Sequence, residues 1–120
     1  MATEIDGNFR SFTFASALSA NRFVKITGEN AAAAATNGYA IGVLTTDVND
    51  NGVGTVKLAN PTVFGTVSGA WAITAAGAAH LIADGKVAVS GGVTIGVAIN
   101  TGVTDDIIEI AIPNGQPIFI

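Results

Sequence analysis

An internal duplication restricts what this chain can fold into more than any other feature. The segment Ala40-Ile41-Gly42-Val43-Leu44-Thr45 reads like Thr94-Ile95-Gly96-Val97-Ala98-Ile99. Downstream of each comes a second match, Thr55-Val56-Lys57-Leu58-Ala59-Asn60-Pro61 against Ile107-Ile108-Glu109-Ile110-Ala111-Ile112-Pro113. Upstream comes a third, Phe23-Val24-Lys25-Ile26 against Ala79-His80-Leu81-Ile82, which sets His80 opposite Val24. Three matches in one order predict two similar halves, near residues 22–61 and 79–113, within a single domain over 18–120.

Each half reads as short strands separated by turn signals. Asp84-Gly85, Gly91-Gly92, Asn37-Gly38 and Asn51-Gly52 stand between runs of β-formers. Such dipeptides are preferred in tight hairpin turns because those turns need positive φ. Val56/Leu58 and Ile108/Ile110/Ile112 alternate at period two, the mark of a strand with one buried face. The alanine run Ala31–Ala35 has helix propensity, but a helix that short is marginal. The duplication also sets the run opposite Val87-Ala88-Val89, so an extended segment is expected. A short helix is left open near Ala70–Ala79. Gly42 and Gly96, each inside a strand-like run, predict a bulge, a curved barrel strand or a close backbone approach. The expected class is therefore all-β: a small barrel-like module built from two similar halves.

Two segments fall outside the matches. Residues 1–17 carry Ile5, Phe9, Phe12 and Phe14 among small polar residues, and read either as an N-terminal arm or as the first strand. The tail, Pro113 to Ile120, ends on Ile118-Phe119-Ile120. Apolar segments of this kind must fold back on the domain or dock on a partner.

The surface chemistry narrows function. Only 12% of residues are charged, against roughly 25% in ordinary soluble domains. The exterior must then be built from Thr, Ser, Asn, Gly and Ala, which suits a chain packed against others. Net charge is -4, and Arg10, Arg22, Lys25, Lys57 and Lys86 are scattered. A nucleic-acid reader needs a basic stripe, so no nucleic-acid partner is expected. Neither a signal peptide nor a transmembrane helix is expected, since the first residues carry acids and no long apolar run occurs. The absence of cysteine excludes disulfides and thiolate chemistry.

No constellation of catalytic residues stands out. His80 is the single histidine, and a structural place in a strand is expected for it. Asp47, Asp50, Asp105 and Asp106 could hold a hard cation through oxygen, but lack the spacing and terminal Glu of an EF-hand loop. They are expected to be solvated turn residues. Serines 11, 16, 19, 68 and 90 have no visible base, and Glu29 has no evident carboxylate partner. The chain is read as a non-enzyme, with no cofactor and no metal.

The order of the pieces Arg22-Phe23-Val24-Lys25-Ile26, Tyr39-Ala40-Ile41-Gly42-Val43, Asn51-Gly52-Val53-Gly54-Thr55-Val56, Ala72-Ile73-Thr74-Ala75-Ala76-Gly77, Asp84-Gly85-Lys86-Val87 and Thr94-Ile95-Gly96-Val97-Ala98 resembles the capsid decoration (cement) proteins of tailed phages, loosely related to the lambda head-stabilising protein. It departs from them at Ala78-Ala79, where a polar residue is expected. The resemblance implies a β-barrel or β-tulip-like domain on the outer surface of an expanded head, made in the host cytoplasm. It further implies trimers that bridge and stabilise the major capsid protein. It also implies an N-terminal arm that adds a strand to the shell, with Ile5, Phe9, Phe12 and Phe14 as apolar anchors. The alternative is a carbohydrate- or cell-surface-binding β module of a phage fibre, for which Trp71, Tyr39 and a few Phe would be the stacking aromatics.

Overall fold

The structure, a computed structural model, describes residues 9–36, 39–58 and 62–112. Among the described residues ten strands run in chain order: β1 Phe9–Phe14, β2 Phe23–Thr27, β3 Asn30–Ala33, β4 Gly42–Leu44, β5 Gly52–Leu58, β6 Thr62–Thr66, β7 Ala78–Leu81, β8 Val87–Ala88, β9 Thr94–Ala98 and β10 Ile107–Ala111. No α-helix occurs among the described residues. The alanine run is extended as β3, and residues 70–77 form turns and one bridge rather than a helix. The class is all-β.

The first five strands close into a barrel in the order β1-β3-β2-β4-β5, sealed by a parallel pairing of Phe14 with Ala31. The last five form a sheet in the order β6-β10-β9-β7-β8. Its two ends meet at the isolated parallel bridge Val67↔Val87. The duplication is thus wider than the sequence matches suggest, because β1 and β6 are also counterparts. Each runs antiparallel to the last strand of its own half.

The hydrogen bonds repeat with the topology. Asn21 N donates to Leu44 O at 2.7 Å, as Ala76 N does to Ala98 O at 2.7 Å. Thr45 N donates to Thr55 O at 2.9 Å, as Ile99 N does to Glu109 O at 2.9 Å. Leu18 bridges Val48 as Ile73 bridges Gly102. Even strained positions correspond: Asn21 and Ala76 have φ of 65° and 69°, Asn51 and Asp105 of 62° and 73°.

These pairs correct the register read from sequence. Val24 faces Gly42 and Ala79 faces Gly96, so His80 corresponds to Lys25 rather than to Val24. Leu44 pairs with Val56 and Ala98 with Ile110, so Val56 corresponds to Ile110 rather than to Ile108. Gly42 and Gly96 do occupy equivalent places. A Cβ at Gly42 would meet the carbonyl oxygen of Lys57, and one at Gly96 that of Ala111. Each glycine lets the next strand of its own half come close.

The halves are joined through a shared core. Val24, Leu44 and Val56 gather with Phe14 inside the first barrel. Phe23, Ala34, Ala40 and Val43 of the first half instead join Val63, Leu81, Ile95, Ile108 and Ile110 of the second. A Cβ on Gly65 of β6 would lie 3.2 Å from the Phe23 ring and 2.9 Å from Ile110 Cδ1. Phe23 therefore fills the second half over a glycine. The first half carries Phe12 at the matching place, opposite Gly54. Main-chain bonds clamp the joint: Gly85 N donates to Ala34 O at 2.7 Å and Thr66 N to Asn21 O at 3.0 Å.

Candidate functional site

The four apolar anchors of the arm reading have different fates. Ile5 lies outside the described residues. Phe14 is wholly buried in the first barrel, and Phe12 is partly buried against that core. Phe9 is 42% exposed and stands opposite Lys57. Between arm and barrel strand, residues 9–14 are a barrel strand, paired with β5 along their whole length. Docking Phe14 elsewhere would tear β1 from both neighbours. Of the three described anchors, Phe9 is the most exposed.

The polar candidates are engaged in local structure. His80 Nδ1 lies 3.0 Å from the Gly92 carbonyl oxygen; a carbonyl only accepts, so this nitrogen donates. Asp47 and Asp50 accept the Ala20 and Ala17 N–H groups at 2.8 Å, and Asp106 accepts that of Val103 at 2.9 Å. Among the described residues no three His, Asp or Glu side chains gather as metal ligands. Tyr39 donates its hydroxyl to Ile26 O at 2.7 Å. Trp71, 74% exposed, lies in the other half of the chain.

Two concavities flank the joint between the halves. One, about 340 Å³, is lined by Ala17, Leu18, Ser19, Arg22, Asp47, Val48 and Asp84. The Arg22 Nε there is buried without a partner among the described residues. The other, about 210 Å³, runs between Asn21, Val43, Leu44, Thr45 and Lys57 on one side and Val63 and Phe64 on the other.

Phe64 leads onto a feature that sequence reasoning missed. On the outer face of β6-β10-β9, Phe64 stands opposite Glu109, whose neighbour across the next strand is Ile99. Val97 pairs with Ala111 on the same face, and Ile107 continues it along β10. Phe64 is 52% and Ile107 46% exposed. The matching positions of the first half are Ser11 for Phe64, Thr55 for Glu109, Thr45 for Ile99 and Val53 for Ile107. The first half thus carries hydroxyls at three of these positions, but it is apolar at Val53 and at Val43, the counterpart of Val97, which is buried in the shared core. A signal was present in the sequence: Val97-Ala98-Ile99 and Ile107-Ile108 are apolar on both phases of the alternation, and strands read this way when both faces are covered.

No protein-family model and no curated protein matches the sequence. The fold is similar to the crystal structure of the head fiber gp8.5 N base in bacteriophage phi29. The TM-score is 0.71 at 17% identity, covering 87% of this chain and 93% of that one. At that identity the likeness establishes the fold.

Proposed function

We propose that the chain is a structural module of a tailed-phage virion that decorates the outer surface of the expanded head and stabilises it. The observation that carries this reading is the shared fold with the phi29 head-fiber base over nearly the whole of both chains. The low charge of the sequence supports it, since contacts between copies and with the shell then desolvate few ions. On this reading the protein contacts the major capsid protein and groups as trimers, acting by mass action. Ligation to the mature lattice shifts the equilibrium away from rupture, and many weak contacts on a repeating shell add up. It is a binding protein with no turnover.

The test is cosedimentation of the purified protein with expanded, undecorated heads of the phage that encodes it. Saturable binding at a fixed ratio to the major capsid protein, with a higher melting temperature of the heads, is the expected result. Failure to bind expanded heads would overturn the decoration reading.

A further inference from the structure

We propose that the outer face of β6-β10-β9 is the surface by which the chain grips another protein, one presenting an apolar patch around a single Lys or Arg that pairs with Glu109. This rests on the decoration reading, under which that protein is the shell subunit. Three observations carry it. The face gathers Phe64, Val97, Ile99 and Ile107 on three adjacent strands. The barrel architecture does not require Phe64 and Ile99, because the first half carries Ser11 and Thr45 in their places, while Val53 and Val43 stand where Ile107 and Val97 do. And one carboxylate, that of Glu109, stands in the middle of the apolar side chains, with no hydrogen bond or ion pair to another described residue.

The charge selects the occupant. A partner that covers this face removes water from Glu109, and a buried carboxylate without a counter-ion is costly. The covering surface must then carry a cation at that point. A second copy meeting the face through its own equivalent face would set Glu109 against Glu109, a like-charge contact that disfavours the pairing. Lys57, at the border of the face, is already engaged: its ammonium donates to Thr62 O at 3.0 Å. A copy meeting the face head to tail would have to bring Arg10, Lys25 or Lys86 instead; under the decoration reading the cation is the shell subunit's, and self-association of the protein alone separates the two.

The experiment compares three variants with the parent protein on expanded, undecorated heads of the encoding phage. Phe64→Ser, Ile99→Thr and Glu109→Thr together give the second half the face that the first half already carries, so folding is retained; an unchanged melting temperature checks this. Glu109→Lys alone tests the charge, and Ser11→Lys, on the matching face of the first half, is the control. The expected result is loss of head affinity by at least about tenfold for the triple variant and for Glu109→Lys, with Ser11→Lys binding like the parent. Parent-like binding by both face variants overturns the inference and leaves the decoration reading standing. A parent that does not bind heads overturns both. Unchanged head binding together with altered self-association, read by sedimentation of the protein alone, would make the face a contact between copies and overturn the partner named here.

Discussion

At the scale of single residues, two glycines and one phenylalanine decide whether the strands can come together. Gly96 faces the Ala111 carbonyl so closely that a methyl group has no room, and the obstacle is backbone rather than a side chain that could swing away. Gly96→Ala is therefore expected to destabilise the protein by about 1–3 kcal/mol through overpacking, measured as a lower denaturant midpoint at unchanged slope. Gly28 offers a contrast: nothing lies within 4 Å of a Cβ there, and its φ of 64° is the obstacle instead. Phe23 acts across the joint. Its ring sits over Gly65, inside the core of the other half. Phe23→Ala leaves a cavity that this core cannot refill, and a loss of about 3–5 kcal/mol is expected in the same denaturation experiment. A smaller loss, near that of an exposed aromatic, would mean that Phe23 does not tie the halves together.

At the scale of elements, β1 changes how a truncation should be read. Removing residues 1–14 takes away a whole barrel strand, including the buried Phe14 and the pairing that closes the sheet. Such a deletion is expected to unfold the first half, seen as lost near-ultraviolet circular dichroism of the protein alone. Its failure to bind heads would then report unfolding rather than loss of an anchor. The strand character, the turns at Asn51-Gly52 and Asp84-Gly85 and the existence of two halves were legible in the sequence, because alternation and Asp-Gly or Asn-Gly signals are local; Asn37-Gly38 lies outside the described residues. The partnership of β1 with β6 was not. Phe12 packs partly buried against the core in one half, whereas Gly65 makes room for Phe23 in the other, so the two strands share almost no residues. Register was also hidden in part. A slip of two residues, as between Val56 and Ile110, keeps every side chain on its proper face and leaves a period-two pattern intact. The slip of one at His80 exchanges the faces, and pairing in space reveals it. The apolar outer face of the second half was spelled out in Val97, Ile99 and Ile107, but the alternation singles out only the buried phase, Ile108, Ile110 and Ile112, and leaves the opposite phase unassigned.

At the scale of the whole molecule, the shared core makes the two halves unequal. The first encloses Phe14, Val24, Ala31, Leu44, Val48 and Val56 in a barrel closed by its own strands. The second is a sheet whose ends touch at one bridge, and its core includes four side chains lent by the first half: Phe23, Ala34, Ala40 and Val43. A duplicated fold could in principle unfold in two steps, one for each repeat, but only if each repeat buries its own apolar surface. Here the second cannot, since removing the first would expose the lining around Gly65, Val87 and Ile110. Clamping bonds from Asn21 and Ala34 would be lost at the same time. The intact chain is therefore expected to melt in a single calorimetric transition, with calorimetric and van't Hoff enthalpies equal. Residues 62–112 produced alone are expected to lack a cooperative transition, even though they hold a complete set of five strands. Two resolved transitions in the intact chain, or a cooperatively melting second half in isolation, would show that the borrowed side chains are not what holds the second sheet together. The same dependence bears on the docking face. It lies on the half that relies on its neighbour, so under the decoration reading proposed above a mutation in the joint, such as Phe23→Ala, is expected to weaken head binding without touching the face itself.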